Sequence, residues 1–105
     1  MKKSRRKPKG LAKLEDIDTV FRALAHASRR QILLVLHFHG GSMTAGEIAG
    51  RFACAWPTTS RHLRRLQDAG LVDVTKAGRE WTYTLRRDRL QSVAVDWFEP
   101  IFEEQ

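Results

Sequence analysis

The sequence predicts a mostly α-helical domain that carries a single β-hairpin. Three observations lead there. Apolar residues recur at helical spacing over most of the chain; the period then changes to two across residues 72–85 and returns to helical after residue 88; and the 105 residues suffice for one small domain and no more. A domain of this size buries only about 60–68% of its unfolded surface, so its own core is modest and burial against a second copy would help.

Leu11, Leu14, Ile17, Val20, Phe21 and Leu24 fall on one helical face and predict a first helix over about 13–25. Ser28 followed by Gln31 has the form of a capping box, with the apolar run "ILLVLHF" behind it as a buried helix that Gly40 and Gly41 end. "TAGE", residues 44–47, is a second capping box and opens a short helix through Ile48, Ala49 and Phe52. Ala53-Cys54-Ala55 form a tight turn.

The next stretch, "WPTTSRHLRRLQDAGLV", begins a helix at about Pro57, because proline suits a first helical turn and the residue before it avoids helical geometry. Thr59, Leu63 and Leu66 make its buried stripe, and Gly70 suits the position just past its end. The remaining faces carry Thr58, Ser60, Arg61, Arg64 and Arg65, with Asp68 as the one acid. Arg64 and Arg65 are not in line, so at most one points straight away from the core. Val72 and Val74, then Trp81, Tyr83 and Leu85, alternate with polar residues about the turn "KAGR", which gives a β-hairpin with Lys76 and Arg79 at its tip. Asp88 and Gln91 cap a last helix whose apolar residues are Leu90, Val93, Ala94, Trp97, Phe98, Ile101 and Phe102.

The formal net charge of +7 is unevenly placed. Seven of the 19 Lys and Arg lie in residues 1–13 with no acid among them, and the remaining 12 balance the 12 Asp and Glu of the rest. The expected organisation is a basic, disordered arm over 1–12 and one domain over 13–105. The arm has two readings, a sticky contact for nucleic acid or anionic lipid and a solubilising tail. No apolar stretch is long enough for a membrane span and no apolar run follows the charged N-terminus, so neither an anchor nor a secretory signal is expected. A single cysteine fits a reducing cytoplasm.

Short helix, tight turn, basic helix and hairpin, in that order, form a winged helix-turn-helix of about five helices in all. In such a unit the second helix enters the DNA major groove. Arginine forks match guanine, hydroxyls reach bases or phosphates, and a helix N-terminus offers free N–H groups to a phosphate. The residues expected to face DNA are Trp56, Pro57, Thr58, Ser60, Arg61, His62, Arg64, Arg65, Lys76 and Arg79. His62 divides between packing and a DNA contact, and Trp56 leans towards covering the core. The competing reading is a winged-helix module for protein contacts or for coating DNA without sequence choice. No nucleophile–base pair, carboxylate pair or phosphate loop is present to suggest an enzyme.

The runs "FRALAHASRRQILLVL", "MTAGEIAGRF", "TTSRHLRRLQDAGLV" and "AGREWTYTL" resemble the ArsR family of bacterial winged-helix repressors over about residues 15–102. The resemblance implies a homodimer built from the first and last helices, one reading helix per half-site, and repression that an inducer often relieves. It matches Trp56, Pro57, Ser60 and Arg61 to positions that touch DNA. The dimer face then comprises Leu14, Ile17, Phe21, Leu90, Trp97, Phe98, Ile101 and Phe102, and the partners are double-stranded DNA and a second copy of the chain. The family's Cys-x-Cys metal site would fall at Thr44, Ala45 and Gly46, and no histidine follows His62, so no metal or other cofactor is expected. The chain resembles the metal-independent members. A Ser cap common in the family is Ala55 here. Cys54 reads as a small buried residue of the turn, with a thiol switch as the alternative, and His37 and His39 do not share a helical face.

Overall fold

The computed structural model describes residues 9–103. Helix α1 (Lys9–Leu24) leads to α2 (Ala27–Phe38), strand β1 (Ser42–Thr44), α3 (Ala45–Arg51) and α4 (Trp56–Asp68). Strands β2 (Val72–Ala77) and β3 (Glu80–Leu85) follow, then α5 (Arg87–Val93), a π-helical segment (Ala94–Phe98) and α6 (Glu99–Glu103). The last three run on through helical backbone at Ala94 and Glu99, so they form one helix with a widened middle. Residues 1–8 of the expected arm lie outside the described residues, and α1 begins at Lys9, earlier than its apolar spacing predicts.

Helices α2 and α4 end in the same way. Gly40 N–H donates to His37 O and Gly41 N–H to Leu36 O; Gly70 N–H donates to Gln67 O and Leu71 N–H to Leu66 O. Each pair closes a Schellman motif, whose first extra residue must take a positive φ. Gly40 (φ 91°) and Gly70 (φ 78°) supply it without the Cβ penalty.

The starts of the helices are less uniform. The capping box at α3 forms as expected: Glu47 N–H donates to Thr44 Oγ1 and Thr44 N–H to Glu47 Oε1. The one expected at Ser28–Gln31 does not. The N-cap of α2 is His26, whose Nδ1 accepts from Ser28 N–H, which places Ser28 inside the first turn. Helix α4 begins at Trp56, one residue early, on an Ala55 N-cap with no side-chain hydrogen bond. The last helix is likewise not capped by Asp88. Its N-cap is Arg86, and Asp88 stands in the first turn, paired with the Arg86 guanidinium.

Strand β1 was not expected. Three residues are too few to show a period, but Ser42, Met43 and Thr44 pair antiparallel with Thr84, Tyr83 and Thr82, making a sheet of order β1-β3-β2. Leu85 N–H donates to Gly41 O and Arg86 N–H to Leu71 O, which ties the base of the hairpin to the loops after α2 and α4.

One apolar core joins every layer: Ile17, Val20 and Ala23 of α1; Ile32, Leu33 and Leu36 of α2; Met43, Ile48, Leu63, Leu66, Ala69, Leu71, Val72, Leu85 and Val93. Two expectations need correction here. Ile17, assigned to the dimer face, is only 5% exposed and belongs to this core. The run "ILLVLHF" is not buried all round, because Leu34 and Phe38 fall on the opposite side of α2 from Ile32 and Leu36, and Phe38 is 79% exposed.

Candidate nucleic-acid interface

Helix α4 is the second helix of a helix-turn-helix, with α3 before it and the β2–β3 wing after it. Thr59, Leu63 and Leu66 are buried and seat it on the domain. The side chains of Arg61, Arg64 and Arg65 are all exposed on the opposite arc. Arg64 lies 3.9 Å from Asp68 one turn on, an exposed pair of small energetic value. Arg61 and Arg65 have no ion pair among the described residues. The arrangement keeps two full positive charges pointed outward beside an apolar seat.

The helix stands between two clefts. On the wing side, a cleft of about 570 Å³ is lined by Trp56, Ser60, Arg64 and Gln67 of α4, by Val74, Trp81 and Tyr83 of the wing, and by Ala45. On the other side, a cleft of about 330 Å³ is lined by Thr19, Arg22, Ala23, Arg29, Arg65, Asp68 and Ala69. Ser60 and Arg64 thus look towards the wing, and Arg65 towards α1 and α2.

The hairpin leaves the core as it extends. Along one face of β3, Leu85 is buried, Tyr83 half-buried and Trp81 46% exposed. Burial raises the Tyr83 phenol above its usual range. Lys76 pairs with Trp81 across the hairpin and lays its ammonium 5.3 Å from the indole centroid, a cation–π contact. Lys76 is therefore on the shaft of the wing, while Arg79 is at the tip beside Gly78. Alternation puts Trp81 on the same face of β3 as the buried Leu85; its exposure follows from the reach of the hairpin, which no local pattern carries.

The remaining expected residues fall as follows. Trp56 is 37% exposed and forms a wall of the wing-side cleft. Pro57 is exposed and Thr58 half-buried in the first turn. His62 turns away from the wing: its ring lies against His26, and Arg29 Nη1 is 3.4 Å from its Nδ1. The N-terminus of α2, through His26 and Arg29, is thus part of the seat of α4, which the sequence reading missed. Cys54, expected to be buried in the turn, is exposed.

The other named surface lies on α1 and the last helix. Phe21 packs edge-on against Trp97 and Phe98, at 6.2 and 6.0 Å between centroids, and Phe98 stacks on Phe102 at 6.0 Å. Leu90 is half-buried. Leu14, Trp97, Phe98, Ile101 and Phe102 remain exposed and form an apolar band.

Comparison with known proteins agrees with this geometry. The family described as "Helix-turn-helix domain" matches residues 24–75. The transcriptional repressor SdpR of Bacillus subtilis is 36% identical over 81 residues, which cover 77% of this chain and 87% of that one. An ArsR-like transcriptional regulator from Rhodococcus sp. RHA1 superposes with a TM-score of 0.76 at 29% identity, over 88% of this chain and 85% of that one. This chain belongs to the ArsR family. As an ArsR-family protein it is a transcriptional regulator with a helix-turn-helix DNA-binding fold. The fold is also that of the homodimeric winged helix-turn-helix domain Mb0332 from Mycobacterium bovis, with a TM-score of 0.72 at 24% identity over 98% of this chain and 94% of that one. At the position of the family's Cys-x-Cys site, this ArsR chain has the capping Thr44 followed by Ala45 and Gly46. Among the described residues no helix is long and apolar enough to cross a membrane.

Proposed function

We propose that this ArsR-family chain is a dimeric, sequence-specific repressor that reads a palindromic operator and does not depend on a metal. The observation that carries the reading is the pair of exposed arginines, Arg61 and Arg65, which have no ion pair among the described residues and stand on a helix whose other side is sealed into the core. Arg61, with Ser60, enters the major groove. Trp56, Pro57, Thr58, Arg64 and Arg65 meet the flanking backbone, and Lys76 and Arg79 on the wing hold phosphate further out. His62 supports α4 from behind.

Two features favour the dimer: the exposed apolar band on α1 and the last helix, and the homodimeric state of the Mycobacterium bovis domain of the same fold. Repression follows the name given to the Bacillus subtilis relative. Such a protein works on the nucleoid in the cytoplasm.

The test is binding of the full chain to its own promoter against random duplex of equal length. Preference for the promoter by about a thousandfold or more supports the reading. Equal affinity turns it into a DNA-coating module. Zinc, cadmium or arsenite at micromolar concentration should leave promoter affinity unchanged.

A further inference from the structure

Arg89 of α5 joins three elements with one guanidinium. Its Nε donates to the carbonyl oxygen of Ala69, the C-cap of α4, at 3.2 Å. Its Nη1 and Nη2 form a fork onto the two carboxylate oxygens of Asp16, on α1, at 2.5 and 2.6 Å. Ala69 is buried and the Arg89 side chain only 22% exposed. Gly70 makes room for this: a Cβ there would lie 3.3 Å from Nε and 3.8 Å from Cδ of Arg89. A second tie runs beside it, from Arg86 N–H to Leu71 O.

Apolar burial holds α4 on the domain but has no direction, so Leu63 and Leu66 alone would let the helix pivot. Hydrogen bonds are directional, and an arginine fork on a carboxylate fixes a plane as well as a distance. Asp16 and Arg89 stand on the two helices that carry the exposed apolar band. The guanidinium therefore links the end of the reading helix directly to the frame through which two copies would meet.

We propose that Arg89 is a positioning residue that sets the angle of α4 against α1 and α5, and so the operator half-site spacing that the dimer accepts. This rests on the dimeric reading above. Two reading helices bind paired half-sites only when their separation matches about one DNA turn or a multiple of it. A fixed angle makes that match strict; a loose one relaxes it.

The experiment compares the wild type with Arg89→Lys and Asp16→Asn, using the operator recovered by selection from random duplex. Affinity is measured for the native spacing, for spacers changed by one or two base pairs, and for a single half-site. Sedimentation and a thermal melt accompany each protein. Lysine is one point charge and cannot both fork onto Asp16 and reach Ala69. Arg89→Lys should stay dimeric, bind the single half-site as the wild type does, and lose roughly tenfold at native spacing, the scale of a lost charged hydrogen bond. Its spacing profile should be flatter. Asp16→Asn should fall between the two, and it decides the matter if Arg89→Lys does not fold. A variant as strict in spacing as the wild type, or equally weakened on the single half-site, overturns the proposal while leaving the dimer standing. A monomeric wild type with no spacing preference overturns the dimeric reading and this inference with it.

Discussion

The imidazole of His62, on α4, lies 4.4 Å centroid to centroid from that of His26, the N-cap of α2. Desolvation first, then the neighbouring His26, Arg29 and Arg61, hold the His62 ring below the usual imidazole range. A lowered histidine pKa means that the unfolded chain takes up the proton first as pH falls. The stabilisation is thus complete above the unfolded value, about 6.5, and is lost as pH falls from there through the folded value. The carboxylates with lowered values, Asp16, Glu47 and Asp88 (at about 2), act only at lower pH. Melting temperature should therefore drop between about pH 7.5 and 5.5, and His62→Gln should flatten that slope. A wild-type protein that melts higher on acidification over this range would contradict the assignment.

Arg61 is exposed on the outer arc of α4, directly after Ser60, with no ion pair among the described residues. Arg61→Ala should cost about 1–3 kcal/mol on the selected operator and relax base preference at one position. Competition assays with single-base operator variants read this directly. An equal loss on operator and random duplex would make Arg61 a phosphate contact.

Thr44 ends β1 and caps α3 through the reciprocal pair with Glu47. Thr44→Ala leaves the Glu47 N–H without its side-chain acceptor and should lower stability by about 0.5–2 kcal/mol. Denaturant unfolding measures this. Operator affinity well below the melting transition should change little, since neither residue lies on α4 or the wing.

Ile101 is 55% exposed on α6, next to Phe98 and Phe102 in the apolar band. Ile101→Asp should split the dimer with little effect on the folded monomer, because the side chain is not part of the core cluster. Phe98→Asp should do the same at some cost to the monomer, since Phe98 also packs on Phe21. Operator affinity should fall steeply in both, each monomer gripping one half-site. A wild-type chain that sediments as a monomer at micromolar concentration yet binds its operator tightly would rule the model of two reading helices out.

The sequence by itself determined the order of the helices and the hairpin, the α3 capping box, the buried stripe of α4 and the arginines opposite it. These depend on residues within a few positions of one another, through helical period, cap chemistry and the conformations that glycine and proline allow. It did not carry β1, whose three residues are a strand only because β3 offers them partners 40 residues on. Nor could it tell that Ile17 turns inward on a helix otherwise assigned to an interface, that Trp81 rises out of the core along the wing, or that His26 rather than Ser28 caps α2. Those outcomes depend on where one element stops covering another. The tie from Arg89 to Asp16 and Ala69 spans 73 and 20 residues and exists only in the folded chain. An arginine in a last helix looks like any solvated charge until the carbonyl at the end of α4 is brought beneath it.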